Sequence, residues 1–307
     1  MLSKKRKRVG RAIITVILIV CITSAAVTGV VYNNIFARYD REQTIPAVLT
    51  GMVQGRTQCS FPSGENMLAG YLYHPENTPL GGLVVLVPGF HAGGDDYLWQ
   101  ISSLLSCGWG VFTFDTTGTF RSEGEDQIGF SQVIRDLDCA LKYVENNRNF
   151  GYNEIILMGH SRGAYAACCV LQEHAVAAVV SVSGVNSAME AVMQPALEAA
   201  GPVSYGNYGF LWLHQAALFG TDLLNRQACE ELSKTQVPVL LIHGTRDADV
   251  PADAGAIVAY KDTIGGDHVE YLLRDAGHTD LLYDADGTAN DALMASIHEF
   301  LLRSLQS

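Results

Sequence analysis

The sequence predicts an α/β fold in which a mainly parallel sheet carries helices on both faces. From residue 56 onward, short apolar runs alternate with longer amphipathic segments, and several of the short runs are continuously apolar. A strand that is buried on both faces needs such a run, whereas a strand with one solvated face alternates apolar and polar residues. The 307 residues, 48% of them hydrophobic, are enough for a large core.

The first predicted element is a transmembrane helix at residues 12–31. This stretch of 20 residues carries no charge, and at about 1.5 Å per residue it spans the roughly 30 Å of a bilayer core. A basic tail, residues 1–11, precedes it and predicts a cytoplasmic N-terminus with the rest of the chain across the membrane. The alternative is a signal peptide, cleaved near Ala25 and followed by secretion. Residues 32–55 are predicted to link this segment to a domain at residues 56–307.

The domain then alternates strands and helices along the chain. Predicted strands are 67–73, 82–87, 111–115, 154–158, 176–182, 237–243 and 268–274, and predicted helices are 96–107, 130–147, 162–172, 252–260 and 291–305. About fifty residues between 185 and 234 lack a strand signal, which exceeds an ordinary connection and predicts an inserted helical cap. The aromatic residues at 205–219 either line a pocket or pack the cap.

Charge and cysteine content exclude two classes of function. From residue 12 onward, 14 Lys and Arg stand against 32 Asp and Glu, a formal charge of −18. Nucleic-acid binding depends on cations that neutralise phosphates, so that partner is disfavoured. The seven cysteines lack the paired spacing of a metal cluster, and we expect free thiols, with Cys168 and Cys169 filling core.

The strongest chemical signal is the sequence Gly-His-Ser-Arg-Gly at residues 159–163. It follows an apolar strand and precedes a helical run, the context in which a G-x-S-x-G sequence presents its serine on a sharp turn. The small glycines allow strand and helix to approach closely, and the N-terminus of the helix directs free N–H groups toward a developing oxyanion. Ser161 is therefore the predicted nucleophile.

A serine hydroxyl is a weak nucleophile and needs a base and an orienting acid. Asp247 lies in a loop after the strand 237–243, and His278 lies in the loop after the next strand. We expect His278 to accept the serine proton and Asp247 to hold its imidazole in the useful tautomer. Asp249 remains an alternative acid, because spacing alone does not separate two loop carboxylates.

Residues 56 to the C-terminus resemble an α/β-hydrolase, because the residue types and their chain order, Ser161, Asp247 and His278, agree with that family. The esterase and serine aminopeptidase-like branch fits best. The resemblance implies an α/β-hydrolase fold, favours Asp247 over Asp249, and assigns the oxyanion hole to the backbone N–H groups of Phe90 and Arg162. Proline at position 88, where the family commonly has histidine, is a departure that leaves the Phe90 amide intact.

The predicted function is that of a serine hydrolase that cleaves a carboxylic ester or related acyl bond through an acyl-enzyme, with no cofactor or metal. The expected partners are a small acyl substrate and, through the N-terminal helix, a lipid bilayer. Peptidase, thioesterase or lipase action on the same triad stays open, as does a non-catalytic, membrane-tethered binding module. Among nearby residues, His91 is expected to bond locally, Arg162 to have a solvated or ion-paired side chain, and Asp95 and Asp96 to cap a helix.

Overall fold

A computed structural model of the chain describes residues 2–76, 81–147 and 150–306, with side chains from residue 8 onward. Part of the predicted basic tail, and Ser307 of the predicted domain, thus lie outside the described residues. Eight strands form one sheet in the order β1-β2-β4-β3-β5-β6-β7-β8. The strands are β1 (Thr57–Ser63), β2 (Asn66–Tyr73), β3 (Gly82–Val87), β4 (Gly110–Phe114), β5 (Glu154–His160), β6 (Ala178–Val182), β7 (Val239–Gly244) and β8 (Val269–Arg274).

The sheet is mainly parallel, as the sequence predicts. Strands β3 to β8 pair in parallel, and only β1 and β2 run antiparallel to their neighbours. Every residue of β3, β4, β6 and β7 is buried, which explains why these strands have continuously apolar sequences. The carboxyl ends of the central parallel strands therefore meet at one edge, where the connecting loops gather.

Helices cover both faces of the sheet. The helices are α1 (Leu2–Ile35), α2 (Thr50–Gly55), α3 (Leu98–Ser106), α4 (Gln132–Asn146), α5 (Arg162–Cys169), α6 (Ala188–Ala200), α7 (Tyr208–Phe219), α8 (Thr221–Leu224), α9 (Ala228–Ser233), α10 (Lys261–Ile264) and α11 (Asp291–Ser304). Residues of α4, α5 and α9 pack in one core cluster, and residues of α3 and α11 pack in a second. The fold class is α/β with both faces of the sheet covered, in agreement with the sequence prediction.

The segment predicted as a cap is helical. It contains α6, α7, α8 and a 3-10 helix at Gly201–Asn207. The Ser187 hydroxyl accepts a hydrogen bond from the Glu190 amide at 3.3 Å and donates one to the Glu190 carboxylate at 2.8 Å, so the two residues cap the start of α6. Because β6 leads into this segment and β7 follows it, the cap lies at the carboxyl edge of the sheet.

Helix α1 contains the one stretch among the described residues that is long and apolar enough to cross a membrane, at Arg8–Ile35. Its last turn is attached to the domain. Tyr32 and Phe36 are buried, and the Tyr32 hydroxyl lies 3.4 Å from the Gln215 side-chain oxygen of α7. Residues 36–41 continue along the domain surface, where the Tyr39 amide donates to the Gly118 carbonyl at 3.0 Å and the Tyr39 carbonyl accepts from the Phe120 amide at 3.1 Å, both in the loop after β4. The segment that the sequence suggested as a linker is thus packed on the domain.

Two details differ from the sequence-based prediction. The strand β1 at Thr57–Ser63 was not predicted, because its TQCSFPS sequence is largely polar and it lies at the edge of the sheet. The helix predicted at 252–260 is wrong, since the chain there has turns and a 3-10 helix at Ile257–Tyr260, and the short α10 begins only at Lys261. Gly255 adopts φ +83°, a left-handed conformation that interrupts a regular helix.

Candidate active site

The turn between β5 and α5 holds Ser161 in a strained conformation. Its φ is 54° and its ψ is −118°, a region that residues with a side chain rarely occupy. A Cβ on Gly163 would lie 2.1 Å from the Val87 carbonyl oxygen, and one on Gly159 would lie 2.3 Å from the Gly163 carbonyl oxygen. Only glycine fits at either place, so these two residues allow the turn that presents Ser161.

Hydrogen bonds fix the backbone of this turn. The Ser161 amide donates to the Val182 carbonyl at 2.8 Å, and the Ser161 carbonyl accepts from the amides of Ala164 and Tyr165 at 3.0 and 3.2 Å. These contacts tie the turn to strand β6 on one side and to the first turn of α5 on the other. The strained conformation of Ser161 is therefore maintained by its surroundings.

Asp247 and His278 form the hydrogen-bonded pair that the sequence predicts. Asp247 follows β7, His278 follows β8, and the His278 Nδ1 lies 2.7 Å from the Asp247 Oδ2. The Val250 amide donates to the Asp247 Oδ1 at 2.8 Å. Burial alone would raise the pKa of Asp247, but the hydrogen bonds from His278 and Val250 outweigh it and hold the pKa below its ordinary value. Asp247 is therefore an anion suited to orient the imidazole.

Asp249, the alternative acid, has a different environment. It is exposed, whereas Asp247 is buried. The ligand atoms of Asp247, Asp249 and His278 all lie within 4.8 Å of one another, yet the hydrogen bond to His278 comes from Asp247. The geometry thus gives Asp247 the orienting position and leaves Asp249 on the wall of the site.

Two further histidines that the sequence analysis did not single out adjoin this pair. His160, next to the predicted nucleophile, lies with its Nδ1 3.0 Å from the Tyr97 hydroxyl and its Nε2 3.3 Å from the His278 carbonyl oxygen. Burial, and then the nearby His278, lower the pKa of His160 to about 3. His243 lies with its Nε2 2.8 Å from the Val250 carbonyl oxygen, and burial lowers its pKa as well. Both rings are therefore neutral at physiological pH. They hold the loops through hydrogen bonds and add no positive charge beside His278.

Phe90 and Arg162 carry the two backbone N–H groups that the family resemblance assigns to the oxyanion hole. Phe90 lies in the loop after β3, and Arg162 is the first residue of α5, where an amide has no acceptor within its own helix. Among the described residues, neither amide has an acceptor, whereas the neighbouring Gly89 amide donates to the Tyr97 hydroxyl at 3.0 Å. Phe90 and Ser161 both line the same cavity. The two N–H groups are therefore free to bind an oxyanion.

The Arg162 side chain differs from the prediction of a solvated or ion-paired group. It is buried, and its guanidinium donates to the carbonyl oxygens of Phe130 at 2.9 Å and Gly129 at 2.6 Å. Burial lowers its pKa to about 10, which leaves it a cation at neutral pH. The prediction was wrong because the carbonyls that stabilise this guanidinium come from a loop thirty residues earlier in the chain. Among the described residues that line the cavity next to Ser161, Arg162 is absent, so its side chain is held in the interior by these carbonyls.

A cavity of about 1110 Å³ lies between this site and the cap. Ser161, His278 and Phe90 line its base, and the cap supplies a largely apolar wall: Met189, Met193, Leu197, Tyr205, Tyr208 and Leu224. Among the described residues, the structure contains no hydrogen bond between the Ser161 hydroxyl and His278. Catalytic hydrogen bonds are often long before substrate binds, so the shared cavity is the informative observation.

The remaining candidates are mostly structural. The His91 ring stacks on Tyr39 with ring centroids 4.1 Å apart, and burial lowers its pKa. Asp96 caps a 3-10 helix at Gly94–Tyr97 by accepting from the Gly93 amide at 2.8 Å, whereas the predicted cap at Asp95 is wrong, because that carboxylate is buried in ion pairs with Arg56 and Arg121. Cys168 and Cys169 are buried in the core, and all seven cysteines are free thiols. Of the aromatic residues at 205–219, Tyr205 and Tyr208 line the cavity and Phe219 is buried in packing.

Comparison with known proteins agrees with this architecture. The family described as "Serine aminopeptidase, S33" matches residues 78–207, which include Phe90 and Ser161 but not Asp247 or His278. No curated protein matches the chain significantly.

Solved structures share the fold at low sequence identity. An esterase from Pyrococcus furiosus has a TM-score of 0.66 at 18% identity, covering 87% of this chain and 98% of that one. Est1E from Butyrivibrio proteoclasticus, in a structure with bound ferulic acid, has a TM-score of 0.63 at 17% identity, covering 81% and 100% of the two chains. An α/β-hydrolase from a Penicillium species, GrgF, has a TM-score of 0.60 at 17% identity, covering 82% of this chain and 99% of that one. The chain therefore has the α/β-hydrolase fold.

Proposed function

We propose that the protein is a serine hydrolase that cleaves carboxylic esters through an acyl-enzyme. The observation that carries this proposal is the Asp247–His278 hydrogen bond in the cavity that Ser161 also lines. The strained backbone of Ser161 costs free energy, and the fold itself does not require a serine in that conformation. A binding module has no use for the combination, whereas an acyl-transfer enzyme needs it.

In the proposed mechanism the Ser161 hydroxyl attacks the ester carbonyl and His278 accepts its proton. Asp247 keeps the His278 Nδ1 protonated, so that Nε2 is the free base, and it stabilises the imidazolium that forms. The Phe90 and Arg162 amides stabilise the oxyanion. His278 then gives its proton to the leaving alcohol as the ester C–O bond breaks. Water, activated by His278, hydrolyses the acyl-enzyme and restores Ser161.

The cap supports an apolar acyl group as the substrate. The methionines of α6, with Leu197 and Leu224, form an apolar wall that would desolvate such a chain. Methionine is flexible and fits groups of varied shape, which favours a broad preference over strict selection.

The test is reaction of the full chain with a fluorophosphonate, followed by intact-mass analysis. We expect one adduct on the wild type that maps to Ser161, no adduct on Ser161→Ala, and much slower labelling of His278→Ala. Ser187→Ala is the matched control, because Ser187 lines the same cavity and should label normally. Folded wild-type protein without an adduct would contradict the proposal and favour the non-catalytic binding module.

A second candidate is a peptidase that acts on a free N-terminus. The family match to serine aminopeptidases favours it, as does the Glu190 carboxylate on the cavity wall, which could bind an ammonium group. Acyl p-nitrophenyl esters and aminoacyl p-nitroanilides, compared at equal concentration, separate the two reactions. Higher kcat/KM for the anilides would replace the esterase proposal, and acyl thioesters and long-chain glycerides extend the same panel.

For location, we propose a single-pass protein with the N-terminus in the cytoplasm and the catalytic domain across the membrane. The uncharged, apolar length of α1 and the basic tail before it support this arrangement, while Tyr32 and Phe36, which pack on the domain, lie beyond the alternative cleavage site and are retained in either case. Cleavage near Ala25 with secretion is the alternative. The N-terminal mass of the protein from membranes, together with its resistance to alkaline carbonate extraction, distinguishes the two.

A further inference from the structure

The outer surface of the cap is apolar, exposed and uncharged. Residues 199–221, which include the 3-10 helix at Gly201–Asn207 and the helix α7, contain no Asp, Glu, Lys or Arg, although the chain beyond residue 12 is strongly acidic. Several large side chains of this stretch face solvent, including Val203 with 75% of its surface exposed and Leu213 with 60%. Large exposed apolar side chains grouped in one uncharged stretch of chain usually mark a contact with a partner or a membrane.

The position of α1 relative to this surface identifies the partner. Helix α1 packs against α7 and against the 3-10 helix, and Tyr32 lies edge-on to His214 of α7 with ring centroids 4.8 Å apart. On α1, Thr28 is half-buried and its hydroxyl oxygen is shielded from solvent, whereas Val30 and Val31 are exposed. The covered face therefore begins within the apolar stretch 12–31, about one helical turn, or roughly 5 Å, before its end.

We propose that the surface formed by Val203 and Leu213, which we call the cap patch, inserts into the outer leaflet of the membrane that α1 spans. This inference rests on the proposed span. Insertion to a depth of roughly 5 Å is typical of interfacial helices. Tyr205 and Tyr208 lie on the same surface and suit the interface between head groups and acyl chains.

The same geometry gives the substrate a route. Tyr205 and Tyr208 are exposed on the cap and also line the cavity that contains Ser161. An ester dissolved in the bilayer would meet these residues first and enter between them without crossing water. The substrate class is therefore an ester lipophilic enough to partition into a membrane.

Depth-dependent fluorescence quenching tests the insertion without reference to catalysis. The full chain, reconstituted in phosphatidylcholine vesicles with brominated acyl chains, would carry an added tryptophan as Leu213→Trp or as Leu273→Trp. Leu273 is the matched control, since it is a leucine with 54% exposure on the edge strand β8. We expect the added fluorescence of Leu213→Trp to be quenched at least about twofold more than that of the control.

Equal quenching of the two variants would overturn the proposal. It would indicate that the cap patch contacts a protein or has no partner. Should Leu213→Trp fail to fold, Val203→Trp provides the same measurement. Quenching needs no turnover, so it reports on insertion of the cap patch even if the wild type is inactive. An inactive wild type would contradict the proposed esterase function alone.

Activity provides the second measurement. Val203→Glu and Leu213→Glu should lower the rate on an ester embedded in vesicles about tenfold, because a buried carboxylate opposes insertion. The rate on a short, water-soluble ester should stay at the wild-type value, since neither residue lines the cavity. Leu273→Glu should change neither rate. An equal loss on both esters would contradict the role of the cap patch in substrate entry.

Discussion

At the scale of single residues, Asp247 and Asp249 provide the sharpest test of the site. Asp247 is buried with its Oδ2 2.7 Å from the His278 Nδ1, and Asp249 is exposed two residues later. We expect Asp247→Asn to lower kcat by roughly 10³- to 10⁴-fold, because the amide no longer favours the useful imidazole tautomer. Asp249→Asn, the matched control, should stay within about threefold of the wild type in steady-state ester hydrolysis. If Asp249→Asn lowered kcat more than Asp247→Asn, the orienting role would belong to Asp249.

His160 makes a prediction about stability and pH. Its pKa is about 3 in the folded protein and about 6.5 when unfolded, so between these values the unfolded chain binds one proton more. Stability is therefore fully present above the unfolded pKa and is lost as the pH falls through this window. From pH 6.5 to pH 5 this histidine should lower the free energy of unfolding by about 2 kcal/mol, and His243 acts in the same direction.

Urea unfolding at both pH values measures the effect. His160→Gln should remove most of the pH dependence assigned to this residue, and His74→Gln, at an exposed histidine, serves as the control for the substitution itself. A wild type whose stability is the same at pH 6.5 and pH 5 would contradict a buried, neutral His160.

At the scale of elements, residues 36–41 hold the loop that carries the Phe90 amide. Phe36 packs edge-on against Phe90 with ring centroids 5.3 Å apart, and Tyr39 stacks on His91. Tyr39→Ala should lower kcat about tenfold and leave KM nearly unchanged, because a displaced loop misdirects the oxyanion donor without emptying the cavity. Tyr39→Phe keeps the stacked ring and should restore the wild-type rate.

A matched control separates this effect from a general loss of stability. Tyr152 also stacks on a histidine, His74, at the amino end of β5. Tyr152→Ala should therefore leave kcat unchanged. A parallel rise in KM for Tyr39→Ala, or an equal loss in the control, would show that Tyr39 has no specific role in positioning the loop.

The sequence predicts those elements whose residue pattern lies within the element itself. The parallel strands are recognisable from continuous apolar runs, and Ser161 from the glycines that its turn requires. Strand β1 is not recognisable, because an edge strand lacks such a run. The buried guanidinium of Arg162 and the stacking of Tyr39 on His91 bring together residues thirty to fifty positions apart, and no local pattern reports such contacts. Their discovery requires the tertiary structure.

At the scale of the whole molecule, the N-terminal helix and the catalytic domain are one structural unit. Tyr32 and Phe36 are buried to 1% and 2% exposure, so the end of α1 contributes to the core of the domain. Arg38 donates to the carbonyl oxygens of Phe120 and Gly124 in the loop after β4. The contact surface between α1 and the loops of the candidate active site is thus formed by residues 32–41.

Two truncated proteins test whether residues 32–41 are a structural part of the domain. Removal of residues 1–31 should give a soluble protein with wild-type stability and wild-type kcat on a water-soluble ester, because residues 32–41 remain in place. Removal of residues 1–41 exposes the surface that Tyr32 and Phe36 cover, and should lower the free energy of unfolding by about 3–6 kcal/mol, from about 1.5–3 kcal/mol for each buried aromatic side chain. It should also lower kcat at least as much as Tyr39→Ala. Urea unfolding and steady-state kinetics would measure both effects. If the two truncated proteins are equally stable and equally active, residues 32–41 act only as a tether.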